Sequence, residues 1–172
     1  MKEKIIIGAL VIVVLAAVLT AVIKSRLADE IGVLGSWDST QGEGFHFNFP
    51  RRIGAEYTFT YDWPPKIIIS DAPYLCTTAG TEIARAGETE ERTIDGHTYC
   101  VTEIKNSGDG NIYTQYAYVF VKDDRTVALA FSTRSLQCND LNEKEQELCE
   151  AERKDLNLDS LIDDIAQTIK FN

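Results

Sequence analysis

The sequence has little of what catalysis and metal binding usually require. Its 172 residues hold two histidines and four cysteines, and 17 basic residues stand against 27 acidic ones for a formal net charge of −10. A chain this acidic lacks the basic face that neutralises phosphates, which excludes nucleic acid as a partner. No C-x-x-C pair occurs, so the usual spacing of a structural zinc site and of a dithiol redox site is missing. Asn106–Asn111 lacks the ladder of acidic and amide residues that makes a calcium loop. Ser132 and Ser135 are not set in a nucleophile-elbow pattern. No internal repeat is present, and the length suits one domain. The sequence therefore assigns no catalytic residue, no metal and no cofactor.

Long charge-free runs are also absent, with one exception. Residues 5–23 read IIIGALVIVVLAAVLTAVI, and only Gly8 and Thr20 fall outside the strongly apolar set. Nineteen residues at ~1.5 Å rise nearly cross a hydrocarbon core of ~30 Å. Backbone groups in lipid must be satisfied internally, which predicts a single transmembrane helix over 5–23. Residues 1–4 form a short flank, and Lys2, Lys4, Lys24 and Arg26 bracket the span and can snorkel to headgroups. A cleaved signal is the competing reading. It wants an A-x-A pattern, which Leu19-Thr20-Ala21 and Ala21-Val22-Ile23 each miss at one position. Residues 24–44 carry Gly32, Gly35, Gly42 and Gly44 among polar residues and read as a linker. Residues 45–172 remain as the folded domain. Without residues 1–24 the chain keeps 14 bases and 26 acids, a charge of −12, so the part beyond the apolar run is more acidic than the whole.

Cys76, Cys100, Cys138 and Cys149 all lie in that domain. An even count behind an apolar segment reads as two disulfides, and hence as an oxidising compartment. Three connectivities are open. Cys76–Cys100 with Cys138–Cys149 is favoured because each bond closes a local loop, while four free thiols in a cytosolic domain is the alternative. The positive-inside count is nearly balanced. Topology therefore follows the cysteines: a cell-membrane protein, single-pass, with a cytoplasmic N-terminus and an extracytoplasmic C-terminal domain.

Within the domain, Phe45–Pro50 alternates aromatic and polar residues as a half-buried strand ended by proline. Glu56–Tyr61 repeats the alternation, Trp63-Pro64-Pro65 breaks it, and Lys66–Ser70 is a short apolar strand. Ala72–Glu91 reads as irregular. His97–Ile104, Ile112–Val121 and Thr126–Thr133 are predicted strands, with turns at Asn106–Gly110 and Lys122–Arg125. On the last strand Val127, Leu129 and Phe131 share one face. Ala128, Ala130 and Ser132 share the other, where small side chains suit close helix packing. Asn142–Lys154 is a charged helix with Leu148 and Ala151 as a thin apolar stripe. Asn157 caps a final amphipathic helix whose Leu158, Leu161, Ile162, Ile165 and Ile169 fall on one face. The expected fold class is α+β: the transmembrane helix, then an antiparallel sheet with helices packed on one face, and a closing C-terminal amphipathic helix.

The Phe45–Pro50 strand, the long strand hairpin and the closing helix ending Ile165-Ala166-Gln167-Thr168-Ile169-Lys170-Phe171 resemble the PsbP/Mog1-like superfamily over Gly44 to Phe171. In that family an aromatic strand ending in proline opens the domain and a helix closes it. The layout with an anchor is also similar to small membrane-anchored bacterial envelope proteins. The resemblance implies a non-catalytic binding or assembly role and transfers no functional residue. The anchor and the cysteines depart from the soluble members, so no partner carries over.

Tyr61, Trp63, Tyr113, Tyr116 and Tyr118 are the candidate partner-binding aromatics, because exposed rows of Tyr and Trp suit protein or glycan contact. The acid groups Glu88, Glu90 and Glu91, Asp123 and Asp124, and Glu143 to Glu152 read as solvated faces. The leading expectation is a membrane-anchored, disulfide-stabilised, non-catalytic envelope domain that touches lipid through residues 5–23 and binds an envelope protein or glycan. An envelope hydrolase using carboxylates or His97 is one alternative. A filament or pilin-like subunit built on the N-terminal helix is another.

Overall fold

The computed structural model describes residues 36–77 and 88–172, all within one unit, Ser36–Asn172. Along the chain run β1 (Trp37–Gly42), β2 (Phe45–Pro50), β3 (Thr58–Thr60), β4 (Lys66–Ser70), β5 (Glu88–Ile94), β6 (His97–Gly108), β7 (Asn111–Lys122) and β8 (Arg125–Leu136). A 3-10 turn at Cys138–Asp140, helices α1 (Glu143–Asp155) and α2 (Leu158–Thr168), and β9 (Lys170–Phe171) complete it.

β5 to β8 form an antiparallel meander. Its three hairpin turns are Asp95-Gly96, Asp109-Gly110 and Asp123-Asp124, and both residues of each have positive φ. Such turns match the right-handed twist of long paired strands, and a short aspartate side chain tolerates the left-handed region. The outer edge of β8 is shared by two short strands. β3 lies against Thr133–Ser135 and β4 against Thr126–Ala130. Between them Pro64 and Pro65 carry no backbone N–H, so the ladder is interrupted there. The second sheet is small, with β2 between β1 and β9.

The core lies on one face of the large sheet. Tyr99, Val101, Tyr118, Val127, Leu129 and Phe131 meet Leu161, Ile162, Ile165, Ala166 and Ile169 from α2 and its C-cap, with Phe47 from β2. Each aliphatic side chain removed from water there contributes about 1.5–3 kcal/mol. Asn157 caps α2 by accepting from the Ser160 N–H at 3.1 Å, as its position in the sequence predicts. Two acids on the packed side of α2 receive hydroxyls from the sheet: Tyr99 donates to Asp163 at 2.5 Å and Tyr118 to Asp159 at 2.7 Å. Arg92 on β5 donates to Asp159 at 3.1 Å and to Glu103 at 2.7 Å. Burial, reinforced by these carboxylates, raises the pKa of both tyrosines well above the usual value.

Helix α1 is held differently. Leu148 is 52% exposed and Ala151 is exposed, so the expected apolar stripe does not pack; Cys149 is the helix's buried residue. The helix is tied by the Cys138–Cys149 disulfide, by Glu152 accepting from the N–H groups of Glu56 and Tyr57, and by Arg153 donating to the Leu136 carbonyl. The second disulfide is Cys76–Cys100, and no described cysteine is free.

The expected fold class is corrected. The described residues are 51% strand and 21% helix, in two antiparallel sheets instead of a single helix-covered one. Of the two helices, α2 alone supplies an apolar stripe to the core. It packs on the face with Val127, Leu129 and Phe131, not on the face with Ala128, Ala130 and Ser132, because large side chains bury more apolar area. The closing helix is itself followed by β9, which pairs with β2. The predicted transmembrane helix, residues 5–23, lies outside the described residues. Among those described, no helix is long and apolar enough to cross a membrane. The stretch read as a linker, residues 24–44, includes β1, and β5 and β6 both reach into segments read as irregular or as a turn.

Nonreducing peptide mapping is expected to recover Cys76 with Cys100 and Cys138 with Cys149. Replacing Cys138 and Cys149 together by alanine should cost about 2–4 kcal/mol in urea unfolding. It should also strip hydrogen-exchange protection from α1 while β6 to β8 keep theirs, since α1 has no other buried anchor in the core. Asp163→Ala leaves the Tyr99 hydroxyl buried without that acceptor and should cost about 1–3 kcal/mol. The raised tyrosine values also set an alkaline limit. A neutral phenol favoured by the folded state stabilises fully below the unfolded pKa of about 10, and that stability is lost as pH rises through the folded values. Stability should fall above about pH 10, and the fall should be shallower in the Tyr99→Phe/Tyr118→Phe double variant; equal slopes in both proteins would refute this account.

Candidate functional site

With α2 on the large-residue face, the other face of the six-stranded sheet carries no helix among the described residues. Strand pairing aligns its side chains in rows. Lys66, Ala130, Ala117 and Thr102 form one row; Ser132, Gln115 and Ile104 form the next; Phe59, Arg134, Tyr113 and Asn106 form a third. Short side chains in the first two rows hollow the sheet between bulkier ends. A cavity of about 450 Å³ results, lined by Asp62, Lys66, Thr102, Gln115, Ala117 and Ala130 among others. A second of about 290 Å³ adjoins it, sharing Asp62, Gln115 and Ser132 and adding Tyr61 and Tyr113. Together they make one open trough along the sheet.

The interrupted ladder between β3 and β4 builds one wall. Tyr61 still donates its backbone N–H to the Ser132 carbonyl at 2.9 Å. The next residues part to opposite sides. Asp62 turns over the trough, where its Oδ2 accepts from the Ser132 hydroxyl at 2.8 Å. Trp63 turns into the core side, edge-on to Phe131 at 5.7 Å, and its indole donates to the Pro50 carbonyl. Lys66 and Gln115 make no side-chain hydrogen bond or ion pair among the described residues. At the far end the rings of Tyr61 and Tyr113 stack at 6.4 Å, and these residues are 59% and 37% exposed.

The five aromatics singled out from sequence therefore separate. Tyr61 and Tyr113 meet on the trough. Tyr118 is fully buried against α2, Tyr116 stacks on Phe131 at 5.0 Å, and Trp63 packs on Phe131. Strand parity accounts for the split along β7, since Tyr116 and Tyr118 have even numbers and Tyr113 an odd one. Asp62, Lys66, Gln115 and Arg134 were not singled out from sequence. The alanine and serine face of β8 was the available signal, and it marks an uncovered hollow, not a helix seat.

The hydrolase candidates do not converge among the described residues. His97 Nδ1 lies 2.9 Å from Asp163 Oδ1, and that oxygen also accepts from Tyr99. Ser132 bonds Asp62 and Ser135 bonds the Thr58 hydroxyl, so neither serine bonds a histidine. His46 bonds Asn172 on the small sheet. The acids are spent on structure or on solvent: Glu90 pairs with Arg92, Asp123 and Asp124 form a turn, and Glu152 caps backbone N–H groups. Among the described residues no three His, Cys, Asp or Glu side chains gather as a metal site. The Cys76–Cys100 bond lies farther along the trough face, beyond the alanine row, and Tyr74 donates its hydroxyl to Cys100 Sγ at 3.2 Å. No protein-family model matches the chain, and neither does any curated protein.

Proposed function

We propose that this protein is a disulfide-stabilised, non-catalytic binding domain that faces an oxidising compartment outside the cytoplasm and receives its ligand in the trough. Residues 5–23, by their apolar sequence, hold it at a membrane. The carrying observation is the trough itself: small side chains floor it, Lys66 and Gln115 have no side-chain partner among the described residues, and a stacked tyrosine pair closes it. Binding sites combine an apolar floor with a few converging polar groups in this way. The two disulfides support the extracytoplasmic location, because such bonds persist in oxidising compartments. The similarity to PsbP/Mog1-like domains points to binding as well.

A photoreactive amino acid at Gln115 tests this in intact membranes, with Glu147 on the exposed side of α1 as the control position. The expected result is a discrete adduct from Gln115 that is absent from Glu147. It should be lost when Ala130→Phe fills the trough floor, and reduced several-fold by Tyr61→Ala. No adduct at Gln115, or the same products from both positions, refutes the trough as the binding surface. Carbonate extraction checks the membrane association separately: release of the full chain into the supernatant would exclude it.

A further inference from the structure

Two charged residues line the trough, the acid Asp62 and the base Lys66, and both are exposed to it. Asp62 Oδ2 accepts from the Ser132 hydroxyl at 2.8 Å, while Lys66 pairs in register with Ala130. Ala130 and Ser132 are successive residues on one face of β8, so the two charges rise from points about 7 Å apart. Pro64 and Pro65 stand between them with φ fixed by their rings, which builds that separation into the backbone. Among the described residues no ion pair joins Lys66 to Asp62 or to any other acid, and Asp62 Oδ1 accepts no hydrogen bond. One hollow thus holds an open carboxylate oxygen and an open ammonium that do not meet each other.

Opposite charges held apart in this way suit a ligand that carries both charges itself. In an α-amino acid the ammonium and the carboxylate lie about 3 Å apart by standard bond lengths. A charge-assisted hydrogen bond of about 2.8 Å at each end extends that to about 8 Å, and the flexible lysine stem takes up the difference. Gln115 pairs in register with Ser132, beside Asp62, and its side-chain carbonyl can accept a further ammonium hydrogen. Ile104 pairs in register with Gln115 and lines the same cavity, where it adjoins the floor made by Ala117 and Ala130. The cavity of about 450 Å³ lies within the size range of small-molecule sites.

We infer that the trough binds a free α-amino acid with an uncharged, apolar side chain. Its ammonium sits on Asp62 and Gln115, its carboxylate on Lys66, and its side chain on Ile104 and the alanine floor. This deepens the proposed function and rests on the trough being the binding surface. The balance of charge selects the side chain. No third charged residue lines either cavity, so a charged side chain would find no counter-charge there. The interior of a peptide is excluded on two grounds. Its amines and carboxyls are neutral amides, which leave Asp62 and Lys66 unanswered. The trough also lies on a sheet face whose nearest strand edge, that of β8, is taken by β3 and β4, so no ladder is open to an added strand.

The test is an NMR titration of the full-length protein in detergent micelles with L-leucine, isoamylamine, 4-methylpentanoate and O-phosphoethanolamine as probes. Isoamylamine is leucine without its carboxylate, and 4-methylpentanoate is leucine without its ammonium. Leucine should shift the side-chain amide signals of Gln115 and bind about tenfold more tightly than either, the size expected for one charge-assisted contact. Lys66→Gln should remove the advantage of leucine over isoamylamine, and Asp62→Asn its advantage over 4-methylpentanoate. Each variant should leave the other advantage in place. Both side chains are exposed, and intact disulfides with an unchanged circular dichroism spectrum show that each variant is folded. Equal affinity for leucine and either analogue, or variants that keep both advantages, overturns the amino-acid inference and leaves the trough reading standing. O-phosphoethanolamine binding more tightly than leucine overturns it in favour of a lipid-type headgroup. Failure of all four probes, with a discrete adduct at Gln115 in intact membranes, overturns the zwitterion class. Failure of the probes without any adduct at Gln115 refutes the trough itself.

Discussion

The seating of α2 on β6, β7 and β8 decides which face of the large sheet becomes core. Its aliphatic stripe supplies the area, and the Tyr99–Asp163 and Tyr118–Asp159 hydrogen bonds set the register. The two aspartates are four residues apart, one helical turn, so they meet hydroxyls from neighbouring strands. Sliding α2 by a turn would leave two buried hydroxyls and a buried carboxylate mismatched, which costs more than the shift could return. Lys122 completes the arrangement by donating to the Ala166 and Gln167 carbonyls at the C-terminal end of α2, where a cation is favoured.

The candidate site is a consequence of that seating. A sheet with one face committed to a helix can leave the other face shallow. Here the alternation along β8 puts Val127, Leu129 and Phe131 under α2 and leaves Ala128, Ala130 and Ser132 over the trough. Pro64 and Pro65 add a wall by interrupting the β8 edge, which sends Asp62 and Trp63 to opposite sides. Packing and binding thus use the two faces of the same strands. The disulfides stand outside both. One holds α1, which lacks an apolar stripe in the core, and the other fastens Cys76 to the sheet beyond the trough.

Much of the fold was legible because it rests on local periodicity. The alternation of Phe45–Pro50, the hairpin of β7 and β8, and the cap and stripe of α2 each follow from a repeat of two or of 3.6 residues. The segments that escaped had no such signal. β1 is polar and glycine-bounded, and is a strand because β2 pairs with it. The charged helix α1 offered Leu148 and Ala151 as a stripe, yet a covalent bond and side-chain caps hold it instead. The small-residue face of β8 suggests a helix seat, yet α2 lies on the opposite face. Small residues permit close helix packing but do not attract a helix, whereas buried apolar area does.

The amino-acid sequence by itself determined that the protein is acidic, that it carries one apolar run at residues 5–23, that its cysteines suit two local bonds, and that an aromatic strand and a capped amphipathic helix belong to its core. These are properties of composition and short-range pattern. Tertiary structure alone decided that Tyr61 and Tyr113 stack while Tyr116 and Tyr118 are withdrawn, that Asp62 faces Ser132, and that Arg134 lies over the Phe59 ring. The physical reason is distance along the chain. Each of those pairings joins residues more than fifty positions apart, and strand register, which brings them together, is settled by the packing of the whole sheet against α2.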